Sequence, residues 1–291
     1  MKAGTFFLTL FFLAILAGFQ GRGSTNHAKI IYHNGFPSAF IKARNIEVWI
    51  PPNYDPKTRY DVIYIHDGQN VFNASTSYAG ISWEMDSTMN DLIEKGKIRP
   101  AIVVAIWNSP DRFSEYMPNL SNRPLTSLMD STVNNEKLLS DEYLKFIVHE
   151  LKPFIDNNYS TKRHPENTFI MGSSMGGLIS LYAITEYPEI FGGAVCISTH
   201  WPALEGIFIQ SLPGNLPDPA THKLYFDHGT LNLDSLYGPF QERVDKIMRT
   251  HGFGNSFNFM SLVFEAADHN EASWRMRLNH PLLFLLRVGL D

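Results

Sequence analysis

The chain has 291 residues, 44% of them hydrophobic and 18% charged, with a formal net charge of -5. This balance suits a folded globular protein and excludes a long disordered one. No run of Lys and Arg forms the basic face that a nucleic-acid binder needs against phosphate charge, and one cysteine, Cys196, excludes an intramolecular disulfide.

The first residues differ from the rest. Lys2 precedes an almost wholly apolar run, Thr5 to Ala17, followed by Gly18, Gly21 and Gly23 and then polar Ser24, Thr25 and Asn26. This reads as a secretory signal peptide over residues 1–23, too short in its apolar run for a membrane span. The expectation is a secreted or periplasmic protein with no stable membrane partner after signal removal. An uncleaved N-terminal anchor is the alternative. Residues 24–291 then form a single catalytic domain.

Beyond residue 25 there is no internal repeat and no low-complexity linker. Lys29 to Tyr32 and Ile46 to Ile50 read as early strands, the second stopped by Pro51-Pro52. Asp61 to His66 and Ala101 to Trp107 are β-branched apolar runs of the kind buried on both faces of a parallel sheet. Asp141 to Asn157 has helical apolar spacing, with Ser140 placed to cap its start. Thr168 to Met171 is a strand and Met175 to Tyr187 a helix ended by Pro188. Strands follow at Ala194 to Ser198, Lys223 to Phe226 and Asn258 to Glu265, with helices at Leu236 to Thr250 and Glu271 to Leu286, the last bent by Pro281. Alternating strands and helices give an α/β class chain with a mostly parallel, doubly wound sheet flanked by helices. Ligands on such sheets bind beyond the carboxyl ends of the strands.

Chemistry falls at those ends. Gly172-Ser173-Ser174-Met175-Gly176 fits G-x-S-x-G between a strand and a helix, the context of a nucleophile elbow. A side chain at either flanking position would crowd the sharp turn, so glycine at both is the steric expectation. Ser174 is thus the candidate nucleophile. His269, just past the last strand, is the candidate general base, with His280 the weaker rival. The acid should follow the strand Lys223 to Phe226. Asp234 is the choice and Asp227, abutting the strand, the rival; the bland role for Asp234 would be helix capping. Met175 and Gln69 are the expected backbone N–H donors of an oxyanion hole, the second from the turn His66-Asp67-Gly68-Gln69-Asn70. The histidines show no metal-ligand spacing, so no metal is expected.

Several segments together resemble the esterase family of α/β hydrolases that includes esterase D, feruloyl esterases and enterobactin-type siderophore esterases. These are Tyr64 to Phe72 (YIHDGQNVF), Arg112 to Pro118 (RFSEYMP), Gly172 to Gly177 (GSSMGG) and Asp268-His269-Asn270-Glu271 with Trp274. The resemblance implies the α/β-hydrolase fold, serine esterase activity and neither metal nor organic cofactor. One departure stands out: where several family members carry the acid three or four residues from the glycine matched by Gly229, this chain has Leu231 and Asn232.

Trp83, Trp107, Arg112, His200 and Trp201 lie at or near strand ends and are candidates to touch substrate, with Glu115 and Arg112 also able to pair with each other. The polar loop Asn119 to Asn135 is a candidate lid. The reading is a Ser-His-Asp carboxylic ester hydrolase that passes through an acyl-enzyme and acts on a small-molecule or polysaccharide ester, acetyl or feruloyl esters of carbohydrate foremost. A siderophore esterase, an acyltransferase with the same triad and a glycan-binding module that keeps the fold are the alternatives. Oligomeric state has no signature in the sequence.

Overall fold

The structure, a computed structural model, describes residues 27–120, 138–254 and 256–289. The proposed signal segment and all of the proposed lid except Asn119 and Leu120 lie outside them. Among the described residues no helix is long and apolar enough to cross a membrane.

Eight strands form one sheet: β1 (Lys29–Phe36), β2 (Arg44–Ile50), β3 (Asp61–Ile65), β4 (Ala101–Ile106), β5 (Thr168–Ser173), β6 (Gly193–Ile197), β7 (Lys223–Gly229) and β8 (Phe259–Phe264). Their order is β1-β2-β4-β3-β5-β6-β7-β8. β1 and β2 are antiparallel additions at one edge, and all pairings from β4 to β8 are parallel. The α/β, mostly parallel sheet expected from the sequence is therefore present.

Strand alternation divides the core. Val62, Tyr64, Val104, Ile170, Cys196 and Phe226 pack on one face, while Ile63, Ile65, Val103, Met171, Val195 and Tyr225 pack on the other. β3 and β4 are buried along their whole length, which is why they read as continuous apolar runs rather than alternating ones. The helix after β5, α5 (Met175–Glu186), is buried from Met175 to Ile184 and so apolar all round.

The earlier helices are α1 (Met85–Glu94), α2 (Arg112–Tyr116), α3 (Ser140–Lys145) and α4 (Lys152–Asn158). α1 has no counterpart in the sequence reading; it buries only Met85, Met89 and Leu92. α3 and α4 are joined by a π-helical segment, Phe146–Leu151, where the Lys152 N–H reaches the Ile147 carbonyl. The wider turn precedes Pro153, whose ring would strike the carbonyl four residues back in a regular helix. Ser140 does not cap this helix from outside: it lies within it, and its hydroxyl accepts the Asn119 N–H at 3.0 Å. After α6 (Ile207–Ser211) and α7 (Gly238–His251), the closing helix divides into α8 (Glu271–Arg277) and α9 (Asn279–Leu286). The break falls at Leu278, ahead of Pro281 rather than at it, because Pro281 has no N–H for the Arg277 carbonyl.

Candidate active site

Every candidate catalytic group sits just beyond a parallel strand's carboxyl end. Ser174 follows β5 directly, with φ 57 and ψ -122, a conformation that L-residues rarely hold. Its N–H donates to the Ile197 carbonyl at 2.9 Å, and its own carbonyl accepts the N–H groups of Gly177, Leu178 and His200, which hold the strained turn. A Cβ at Gly172 would lie 2.7 Å from the Gly176 backbone, so that glycine is sterically required. Gly176 differs from the sequence expectation: a Cβ there would meet only His66 and Asp67 side-chain atoms at 3.5 and 3.6 Å. At Gly177 a Cβ would press on Thr199, its Oγ1 at 2.7 Å.

His269 Nε2 is 2.9 Å from Ser174 Oγ, and His269 Nδ1 is 2.6 Å from Asp234 Oδ1. With the carboxylate ionised, Nδ1 carries the proton and the Nε2 lone pair faces the serine hydroxyl. The ring is held edge-on by Tyr237 and Trp274, with centroids at 5.6 and 5.1 Å. Asp234 is fully buried and its Oδ2 accepts the Ser198 hydroxyl at 2.6 Å and the Gly229 N–H at 2.7 Å. Burial alone would raise its pKa; the hydrogen bonds from His269, Ser198 and Gly229 outweigh that and hold the carboxyl below its ordinary range.

The late position of Asp234 has a local cause. A 3-10 turn, Asn232–Leu236, curls the chain back so that the carboxylate reaches the Gly229 N–H. A Cβ at Gly229 would lie 2.1 Å from the Ala267 carbonyl oxygen, so glycine there lets the histidine loop close over the acid loop. Asp227 makes no contact with His269. It is buried against Arg277 Nε at 3.1 Å and the Tyr225 hydroxyl at 2.9 Å, and burial, only partly opposed by these groups, keeps its pKa raised.

Arg277 and Ser198 form a brace that sequence reasoning missed. The Ser198 hydroxyl receives Arg277 Nη2 at 2.6 Å and Trp274 Nε1 at 3.1 Å. With two donors aimed at its oxygen, its own proton points to Asp234. Arg277 Nη2 also lies 3.7 Å from Asp234 Oδ2, so one buried guanidinium faces both carboxylates.

The turn after β3 supplies the second wall. Asp67 has φ 56, and a Cβ at Gly68 would lie 2.6 Å from the Ala105 carbonyl carbon, so the turn presses on β4. Asp67 is buried and accepts Arg112 through both oxygens at 2.7 Å and Asn108 Nδ2 at 2.6 Å. Burial would raise its pKa; the Arg112 charge and these hydrogen bonds hold it down. Glu115 pairs with Arg44 at 2.6 Å rather than with Arg112. The Gln69 carbonyl and Oε1 accept Thr76 and Asn108 donors at 2.7 and 3.2 Å. Neither the Gln69 nor the Met175 N–H has an acceptor among the described residues.

Gln69, Ser174, His269 and Arg112 line one cavity of about 400 Å³, together with Tyr78, Asn108, Glu271 and Trp274. Of the five expected substrate contacts only Arg112 lines it; Trp83, Trp107, His200 and Trp201 do not. Trp83 is 1% exposed and packs on Trp274 in the core, and Trp201 is 1% exposed with Nε1 bonded to Gln241. Both aromatics turn inward because their strand-end loops fold over apolar faces of the sheet. His200 is half-buried with Nδ1 2.8 Å from the Tyr237 hydroxyl, and burial, then His269 and Arg112, lower its pKa. It stands beside His269 through Tyr237 but does not line the cavity. Trp107 donates to Glu47 at 3.0 Å. Among the described residues no group of three or more His, Cys, Asp or Glu is arranged to hold a metal.

The family described as "Putative esterase" matches residues 38–285. The chain belongs to that esterase family. It is an ester hydrolase by class. It is 27% identical over 191 residues to YbbA, an uncharacterised Bacillus subtilis protein, spanning 64% of this chain and 68% of that one. It is also 27% identical over 210 residues to an endo-1,4-beta-xylanase/feruloyl esterase of Xylanibacter ruminicola, covering 70% of this chain but 25% of that much longer protein. Two solved structures share its fold. A ferulic acid esterase matches with TM-score 0.64 at 16% identity, over 89% of this chain and 98% of that one. The enterobactin esterase of Shigella flexneri matches with TM-score 0.62 at 18% identity, over 90% of this chain and 60% of that one.

Proposed function

We propose that this esterase works through a Ser174-His269-Asp234 triad and a covalent acyl-enzyme. The observation that carries the reading is the unbroken hydrogen-bond chain Asp234–His269–Ser174, at 2.6 and 2.9 Å, opening on one cavity. Ser174 Oγ attacks the ester carbonyl as His269 Nε2 takes its proton. Asp234 fixes the imidazole tautomer and steadies the imidazolium that forms. The Met175 and Gln69 N–H groups receive the oxyanion. His269 then protonates the departing alcohol, and a water activated by the same nitrogen releases the acid.

For substrate we propose acetyl or feruloyl esters of carbohydrate. What supports this is the likeness to the xylanase/feruloyl esterase and the exposed ring of Tyr78 on the cavity. The two buried tryptophans lend it no support. A catecholate siderophore ester is the second reading, favoured by the Arg112 guanidinium in the cavity wall and the fold of the enterobactin esterase. Turnover of acetylated xylan, methyl ferulate and a catecholate siderophore, compared side by side, decides between them. Preference for the siderophore by tenfold or more in kcat/KM would overturn the carbohydrate assignment. We also propose export through the apolar Thr5 to Ala17 segment with removal of residues 1–23; an exported protein that retains residues 1–23 would contradict the removal, and a protein confined to the cytoplasm would contradict the export.

A further inference from the structure

A second pocket lies at the opposite end of the sheet. Lys223 opens β7, Met260 sits near the start of β8, and Arg99 precedes β4. These are amino ends of strands, whereas Ser174 follows the carboxyl end of β5. The pocket has a volume of about 360 Å³. Its polar wall carries Arg99, Lys223, His280 and Arg287, and its apolar wall includes Phe257 and Phe284.

The charges in this wall are unbalanced. Asp61, the carboxylate beside it, is fully buried and already receives Arg99, Lys162 at 3.0 Å and Asn167 at 2.8 Å. Among the described residues, the side chains of Lys223, His280 and Arg287 have no hydrogen-bonded or ion-paired partner. Lys223 is half-buried; burial first and the neighbouring Arg99 charge second push its pKa down, and Asp61 only partly restores it. An ammonium taken partly out of water beside a guanidinium is unfavourable twice over, and an anion between them relieves both costs. This cationic wall stands on a chain of formal net charge -5.

The Arg99 side chain and the backbone that carries the exposed Arg287 are positioned in advance. The Arg99 N–H donates to the Leu286 carbonyl at 2.9 Å, and the Val288 N–H donates to the Lys97 carbonyl at 3.3 Å. Ile98 and Arg287 form an antiparallel bridge, and Arg99 Nη2 donates to the Leu285 carbonyl at 3.1 Å. The two segments are thus zipped together before any ligand arrives, which lowers the ordering cost of binding. The Phe257 ring, 52% exposed, offers an apolar shelf beside the charges.

We propose that this pocket binds a small organic anion, a carboxylate or phosphate monoester carrying an aromatic group, with Lys223 and Arg287 on the anion and Phe257 on the ring. The site is separate from the serine and does not depend on the triad reading.

The test is calorimetric titration of the full chain carrying Ser174→Ala, so that no ligand is turned over. Phenyl phosphate, benzoate, inorganic phosphate and neutral benzyl alcohol are the probes. Phenyl phosphate or benzoate should bind, and benzyl alcohol should not. Inorganic phosphate should bind at least tenfold more weakly than phenyl phosphate. Lys223→Met and Arg287→Met should each weaken binding tenfold or more, and Phe257→Ser should weaken phenyl phosphate but not inorganic phosphate. Undiminished affinity in the Lys223→Met/Arg287→Met pair, or no anion binding at millimolar concentration, would overturn the proposal. Equal affinity for phenyl and inorganic phosphate would overturn its aromatic half. If the double variant does not fold, hydrogen exchange of the single Ser174→Ala chain decides. Ligand protection at residues 97–99 and 286–288 supports the site, and protection confined to residues 67–69 overturns it.

Discussion

Arg277→Met tests the buried brace behind Asp234. The guanidinium side chain is 3% exposed, lies 3.0 Å from Asp227 and 3.7 Å from Asp234, and donates to Ser198. Removing one partner of a buried charge network costs about 3–5 kcal/mol. An independent route gives a similar figure. Without Arg277, Asp227, whose pKa burial already raises, should become protonated in the folded state. Holding a carboxyl of ordinary pKa about 3.9 neutral at pH 7 costs at most about 4 kcal/mol. A loss of about 3–4 kcal/mol at pH 7 is therefore expected, a large part of a typical folding free energy. The sign of its pH dependence follows. A carboxyl neutral in the fold and ionised in the unfolded chain gives the folded state the extra proton, so stability rises as pH falls, by about 1.4 kcal/mol per unit. The deficit of the variant should shrink to about 1 kcal/mol near pH 5. Guanidinium melts of both proteins at pH 7 and pH 5 measure this. A loss under about 1 kcal/mol at pH 7, or an equal loss at both pH values, would refute the reasoning.

Three further outcomes are expected. Gly172→Ala should destabilise the chain by more than about 3 kcal/mol or prevent folding, while Gly176→Ala should stay within about 1 kcal/mol of the parent in thermal melts. Asp234→Asn should lower kcat by on the order of 10⁴ with little change in KM, whereas Asp227→Asn should lower it less than tenfold; stopped assays on p-nitrophenyl acetate separate the two. Arg112→Met should raise KM for whichever ester is turned over and also lower thermal stability, because it leaves the buried Asp67 carboxylate without its bidentate partner; KM and melting temperature read the two effects separately.

The parallel sheet was legible because β3 and β4 bury every residue and so leave an unmistakable apolar run. The Ser174 turn was legible because its requirements are local: a strand, a sharp turn and a helix within a few residues. Asp234 was harder, since its reach back to Gly229 depends on a 3-10 turn with no strong sequence signature. The direction of an aromatic at a strand end is not local information. Trp83 and Trp201 have the composition of a binding rim and the position of core residues. The Arg277–Asp227 contact joins residues 50 positions apart, so no local pattern announces it. Arg277 read as an ordinary charge in a closing helix until the fold brought both carboxylates to it.

We propose that Ser174 carries the acyl group. Mass spectrometry of the chain quenched early in p-nitrophenyl acetate turnover tests it most directly. A single acetyl adduct is expected on the peptide containing Ser174, absent in Ser174→Ala, whose hydrolysis falls to background while the chain remains folded. An adduct on another residue, or full turnover by Ser174→Ala, would contradict it.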